Sequence, residues 1–345
     1  MSDPIDRRRF LGASATTIAA TQFSLSAAAQ AQTPSASGSA KGGGNTSFAP
    51  LKQINAGLLN VGYAEAGPAD GKPVILLHGW PYDPRCYDDV VPLLAPAGCR
   101  VIVPYLRGFG ATRFHSDATP RSGQQAALGN DLRELMDALA IPRALLAGYD
   151  WGGRAACIVA ALWPERVRGL VTCNGYNIQD IAGAAKPQAP EQEARYWYQF
   201  YFHTERGVAG LTQNREALCR HLWKLWSPNW AFDEATFARS AASFANPDFV
   251  AVTIQSYRHR YGNAPGDPAL EEIERRLAAL PTIGVPTIAL QGEADGVQPP
   301  AAFAQNDRNF TGRFERRSLP AVGHNPPQEA PAAFANCVLT LLRSA

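Results

Sequence analysis

The segment Gly148-Tyr149-Asp150-Trp151-Gly152-Gly153 constrains this chain more than any other. It follows a short apolar run at 144–147 and precedes a helix-forming stretch at 154–163. Small residues on both sides of one aspartate suit a sharp turn from strand to helix. There the helix must pass close to the strand, and a Cβ would collide. Such a turn pushes a single side chain out at the top of a sheet, and that side chain is Asp150. The plainer alternative is a tight turn in which Asp150 only caps the helix, since aspartate is a good N-cap residue.

The rest of the chain supplies the sheet that such a turn needs. Short apolar runs alternate with helical patterns, which predicts an α/β fold with a mostly parallel sheet. Segments 53–58 and 60–66 read as an antiparallel opening pair. Runs at 74–77, 100–103, 144–147, 167–172, 287–290 and 314–319 complete eight strands. Continuous apolar strands are expected where helices cover both faces. A helix at about 328–342 closes the chain. The rhythm breaks over 176–280, which is rich in helix formers and aromatics and holds no comparable strand. That span reads as a helical cap inserted into a core made of 48–175 and 281–345. It would lie over the carboxyl edge of the sheet, where open α/β sheets bind ligands.

An aspartate at the elbow restricts the chemistry. Attack on an ester or amide carbonyl would give an anhydride, more reactive than the substrate. Attack on a saturated carbon, expelling a halide or an epoxide oxygen, gives an ordinary alkyl ester that water can cleave. The partners of such a nucleophile follow it in the order acid, then histidine. His324, in Gly323-His324-Asn325 after the last strand, is placed to activate the water. Asp295, after the strand at 287–290, is placed to orient and stabilise its imidazolium, with Glu293 as the nearest rival. The other acid position, after 167–172, holds Cys173 and Asn174, which carry no charge. Backbone N–H groups of Trp80 and Trp151 are the expected oxyanion hole. His78, in the turn after 74–77, reads as structural, and His115, His203, His221 and His259 have no comparable context.

Taken together, His78-Gly79-Trp80-Pro81, the Asp150-Trp151-Gly152-Gly153 elbow, Asp295-Gly296-Val297 and Gly323-His324 resemble the α/β-hydrolase branch of epoxide hydrolases and haloalkane dehalogenases. The resemblance runs from about Leu51 to the end of the chain. It implies a covalent two-step hydrolysis of a small molecule with no cofactor and no metal. It also implies how the leaving group is handled. Epoxide hydrolases use two cap tyrosines as proton donors, and the segments around Tyr198 and Tyr257 are similar to the two that carry them. Tyr196 and Tyr201 are rivals for the first. Haloalkane dehalogenases use indole N–H groups, which Trp151 could supply. Their frequent asparagine after His-Gly is replaced here by Trp80, and none of Trp197, Trp223, Trp226 and Trp230 aligns with a cap donor. Fluoroacetate dehalogenases share Arg154 but place a second arginine where this chain has Trp151. Arg258 and Arg260 are expected to form cap salt bridges, or, if one faces the pocket, to meet a substrate carboxylate. Three alternatives to epoxide opening follow: a haloalkane or haloacid dehalogenase, a related hydrolase acting on another activated carbon, and a ligand-binding member without catalysis.

The remaining features bound the setting. Asp6-Arg7-Arg8-Arg9-Phe10-Leu11, an Ala/Thr/Ser stretch and Ala29-Gln30-Ala31 read as a twin-arginine signal with a cleavage site. A flexible linker follows, so that 1–47 lies outside the fold. This predicts export by the twin-arginine machinery to the periplasm or beyond. The alternative is a disordered cytosolic tail. A net charge of +2 over 345 residues, with no basic run, gives no electrostatic footprint for nucleic acid. No apolar stretch beyond the leader is long enough to span a bilayer. Cys86, Cys99, Cys157, Cys173, Cys219 and Cys337 fit neither a disulfide scaffold nor a zinc site, and are expected to be mostly buried thiols. The sequence carries no signature of oligomeric state.

Overall fold

The structure is a computed structural model that describes residues 50–300 and 306–343. The expected export signal lies outside the described residues. The described residues belong to one compact unit.

Its strands are β1 (Lys52–Ala56), β2 (Leu59–Ala66), β3 (Lys72–Leu77), β4 (Cys99–Pro104), β5 (Arg113–Phe114), β6 (Ala144–Gly148), β7 (Val167–Cys173), β8 (Thr287–Gly292) and β9 (Phe314–Leu319). They form one nine-stranded sheet in the order β1-β2-β4-β3-β6-β7-β8-β9, with β5 added beside β2. β1, β2, β4 and β5 meet antiparallel across β2, and every pair from β4 to β9 is parallel. The sequence predicts eight strands, and the ninth is β5. Its two residues, paired as Leu59↔Phe114 and Asn60↔Arg113, are too short to show a period and exist only because β2 is there to pair with.

All residues of β6 and β8 are buried. Successive strand residues face opposite sides of a sheet, so both faces are covered. The covering helices include α1 (Val91–Leu94), α2 (Gln125–Ala138) and α3 (Asp150–Leu162). Between β7 and β8 the described residues hold helices and no strand: α4 (Pro190–Arg195), α5 (Trp197–Tyr201), α6 (Glu205–Gln213), α7 (Arg215–Trp226), α8 (Glu234–Ala241), α9 (Phe249–Arg260) and α10 (Glu271–Ala278). This span is called the cap below. The chain closes with α11 (Pro326–Glu329) and α12 (Pro331–Arg343). One closing helix was expected and two are found. Pro331 disfavours a helical conformation at the residue before it, and Ala330 breaks out to φ −145°.

The chain runs from β3 outward to β4 and returns to pair β6 with β3 on its other side. The crevice beside such a reversal, at the carboxyl ends of the strands, is where the next residues gather. Trp80 follows β3, Asp150 follows β6, Asn174 follows β7, Asp295 follows β8 and His324 follows β9.

Candidate active site

Asp150 is the first residue of α3 and has φ +50°. A non-glycine residue holds that left-handed conformation only where its surroundings impose it. The glycines allow it: a Cβ on Gly152 would stand 2.1 Å from the Leu77 carbonyl oxygen. The helix-cap alternative is not what the chain adopts. The N-cap position is Tyr149, without a side-chain cap. Asp150 Oδ1 instead accepts the Trp80 N–H at 2.7 Å. Trp80 is held by its own turn. The Leu106 N–H donates to His78 Nε2 at 3.1 Å, so the ring proton sits on Nδ1, 2.9 Å from Gly79 O. Burial pushes His78 down to about 4, which keeps it neutral and structural, as its sequence context suggests.

His324 Nδ1 lies 2.9 Å from Asp295 Oδ2, with both side chains out of solvent. Asp295 Oδ1 accepts the N–H groups of Val297 and Gln298 at 2.7 and 3.0 Å. Its Oδ2 also accepts from Asn174 Nδ2 at 3.0 Å. Every lone-pair direction facing the chain is thus used, and the carboxylate cannot rotate. Asn174 carries no charge, so the sequence alone does not mark it as a partner of the acid. The signal was its place one residue past β7, beside the loop that carries the acid. Glu293, the rival acid, is exposed.

His324 Nε2 points towards Asp150, 3.8 Å from its Oδ2, and has no hydrogen-bond partner. Burial disfavours a charged imidazole, but Asp295 and Asp150 outweigh it and push His324 up to about 10. The same pairing works on Asp150. Burial opposes its charge, yet His324, Arg154 and the Trp80 N–H together hold it below the usual carboxylate range. Each of the two thus favours the charged form of the other.

The cap closes directly onto these loops. At the end of α7, the Trp226 carbonyl accepts the N–H groups of Gly296 at 2.9 Å and His324 at 3.2 Å. Ser227 Oγ also accepts the His324 N–H at 3.0 Å and donates to Glu329 Oε1 at 2.6 Å. Glu329 in turn accepts the N–H groups of Gly323 and Asn325.

Around Asp150 and Trp80 the walls are aromatic. The Trp80 ring lies 5.9 Å from Tyr198, 5.3 Å from Tyr257 and 6.5 Å from Trp151, centre to centre. The two tyrosine rings are 5.4 Å apart. Tyr198 and Tyr257 are buried, and burial pushes both phenols up, against the opposing charge of Arg260, so they keep their protons. Gln199 Nε2 donates to the Tyr198 oxygen at 3.0 Å, leaving that O–H to donate elsewhere. Of the rivals, Tyr201 packs on Trp197 and Phe202. Tyr196 lies towards Gln298 and Gln192. The indoles differ in their commitments. Trp80 Nε1 donates to Thr253 Oγ1 and Trp223 Nε1 to Pro81 O, while Trp151 Nε1 is buried without a partner.

The cap arginines divide. Arg258 makes the expected ion pair, with Glu205 at 3.3 Å. Arg260 makes none among the described residues. Its guanidinium lies over the Tyr257 ring instead, with Cζ 4.6 Å from the ring centre, and Nη1 donates to Gln199 Oε1. All six cysteines are buried free thiols. Among the described residues no cluster of three His, Cys, Asp or Glu side chains could hold a metal ion, and no helix is long and apolar enough to cross a membrane.

The family model for the α/β-hydrolase fold matches residues 72–331. The chain belongs to the α/β-hydrolase family. A crystal structure from Klebsiella pneumoniae, of a protein provisionally named an epoxide hydrolase, is 53% identical to this hydrolase. The two superpose with a TM-score of 0.84 over 86% of this chain and 98% of that one. A haloalkane dehalogenase of Mycobacterium marinum is 35% identical over 120 residues, 34% of this chain and 39% of the relative. The bifunctional epoxide hydrolase 2 of Sus scrofa is 28% identical over 158 residues, 45% of this chain and 28% of the relative. The matches thus span well under half the length of these curated relatives. They place this α/β-hydrolase in the branch that the elbow and histidine motifs resemble.

Proposed function

We propose that this α/β-hydrolase opens epoxides by attack of Asp150 and then hydrolyses the resulting alkyl ester to a diol. The observation that carries the reading is the pair of buried, protonated phenols, Tyr198 and Tyr257, flanking the Trp80 ring beside the nucleophile. An unassisted alkoxide is a poor leaving group. A positioned proton donor contributes about 10²- to 10⁴-fold.

The charges fit the two steps. Asp150 is ionised and attacks carbon; a tyrosine gives its proton to the departing oxygen. The carboxylate is now a neutral ester, so one of the two charges holding His324 protonated has gone. His324 releases a proton, balancing the one the tyrosine gave up. It then takes a proton from water as that water attacks the ester carbonyl. The Trp80 N–H already donates to an Asp150 oxygen, and with the Trp151 N–H it would stabilise the tetrahedral oxyanion. Collapse releases the diol and restores ionised Asp150 facing protonated His324.

A second reading, dehalogenation by the same covalent route, is favoured by the unpartnered indole N–H of Trp151. A halide needs two such donors more than it needs a proton, and the nearby Trp80 indole is engaged by Thr253.

Tyr257→Phe separates the two. The ring stays and only the donor goes, so ester formation from an epoxide should fall by roughly 10²- to 10⁴-fold, while halide release from an alkyl halide should barely change. Diol and halide are measured together across a panel of both substrates. Intact epoxide opening in Tyr257→Phe, with chloride or bromide release abolished by Trp151→Phe, would replace the first reading with the second.

A further inference from the structure

We propose that the buried guanidiniums of Arg154 and Arg260 form a binding site for a carboxylate carried by the substrate, so that the enzyme acts on small acidic rather than neutral epoxides. The inference deepens the reading above and rests on it for the position of the reacting carbon.

Arg154 belongs to α3, one turn past the nucleophile, and is 7% exposed. Its Nε donates to the Asn177 carbonyl at 3.2 Å. Arg260 ends α9, with Nη1 on Gln199 Oε1 at 3.2 Å and its Nε and Nη2 buried without any partner. Neither guanidinium forms an ion pair among the described residues, whereas Arg258 pairs with Glu205 and buried Arg107 with Asp131. The two stand close enough to repel. Burial and then the charge of Arg260 push Arg154 down to about 10, and Asp150, Tyr257 and Tyr198 act on it from the other side. The second arginine is tied to the proton donors as well. It covers the Tyr257 ring and shares Gln199 with the Tyr198 hydroxyl.

A buried cation without a counter-ion is costly, and two sharing one space are more so. Asp150 and Asp295 both face His324, and neither guanidinium has a carboxylate within ion-pair distance among the described residues. The Nε and Nη2 groups of Arg260 have no acceptor at all, and a substrate carboxylate would supply one. Arginine's planar fork favours a carboxylate, which accepts two parallel N–H bonds. The anion would lie on the tyrosine side of the pocket, fixing which epoxide carbon faces Asp150.

The test compares phenylacetate with phenylacetamide, an inert pair of the same shape, by calorimetric titration of the whole protein. Phenylacetate should bind roughly 10- to 100-fold more tightly, the contribution of charge-assisted hydrogen bonds. In Arg260→Gln that ratio should fall below about 3-fold, on the same scale. Equal binding of the two ligands by the unaltered protein overturns the proposal even if no variant folds. So does a ratio that Arg260→Gln leaves unchanged, which would make Arg260 a packing residue for Tyr257. A parallel arm uses His324→Gln, which should retain the ester, and measures adduct formation on Asp150 from phenylglycidate and phenylglycidamide by intact mass. An adduct without preference for the acid removes the carboxylate site and keeps epoxide opening. Carboxylate-selective binding without an adduct from either epoxide does the reverse.

Discussion

The 3.8 Å between His324 Nε2 and Asp150 Oδ2 divides the labour of the two residues. It is too long for a committed hydrogen bond, so either carboxylate oxygen can leave for carbon without breaking one to the imidazole. In the proposed mechanism the first step needs only the carboxylate and the second needs a base. His324→Gln should therefore still form the ester but not cleave it, and protein plus one substrate mass should accumulate. Digestion then locates the modification. An unmodified protein, or a label on any residue other than Asp150, would remove the aspartate from the proposed mechanism. Asp150, Asp295 and His324 could be read from sequence because each is an ionisable residue directly after a strand-like run. Asn174 could not, since its contribution is geometric: a hydrogen bond to a carboxylate 121 positions away. Arg260 was misjudged for the opposite reason. A charged residue on a cap helix is expected to find an acid, and only the packed structure shows that Arg260 lies over Tyr257 instead.

Among the elements, the end of α7 joins the cap to the loop that carries His324. Ser227 sits where that helix stops, and its hydroxyl links the His324 N–H to Glu329, which anchors the N–H groups on both sides of His324. Ser227→Ala leaves His324 N–H with the Trp226 carbonyl but strips Glu329 of a buried donor. Leaving such a group unsatisfied costs about 1–3 kcal/mol. The urea midpoint should drop accordingly, and ester cleavage should slow more than ester formation because the base moves and the nucleophile does not. An unchanged midpoint with unchanged ester cleavage would mean that Ser227 only fills space. Nothing in the sequence announces this contact. The inner strands β6 and β8 are buried on both faces and read as mostly apolar runs, whereas the edge strand β9 is polar and partly exposed. Cap helices divide their apolar residues between the core loops and one another, so no single face repeats. The cap could be delimited by the absence of strands, but its order of helices and its docking could not be derived.

At the level of the whole molecule, buried ionisable groups tie stability to pH, and their signs can be worked out separately. Burial pushes Asp83 up to about 7 and Asp88 up to about 6, so both carboxyls favour folding at low pH and lose that contribution as pH rises to those values. Burial pushes His78 down to about 4, so its contribution runs the other way and is complete above the unfolded pKa of about 6.5. Above about pH 8 these three have finished changing. His324 has not. Burial works against its charge, but Asp295 and Asp150 raise it to about 10, above its unfolded value, so the folded state holds a proton that the unfolded state has released. Its stabilisation is complete below about pH 6.5 and is lost as pH climbs towards 10. A difference of one bound proton corresponds to about 1.4 kcal/mol per pH unit. The six buried thiols are also raised and add a loss of the same sign at the alkaline end. They are common to the parent and to His324→Gln, so the comparison of the two removes them. Between pH 7 and 9 the unfolding free energy of the parent should fall more steeply than that of His324→Gln, by about 1 kcal/mol per pH unit. Urea unfolding at matched ionic strength measures both slopes. Parallel slopes would mean that His324 is neutral in the resting protein. The proposed hydrolysis would then begin from a base already free, with no need for Asp150 to lose its charge first.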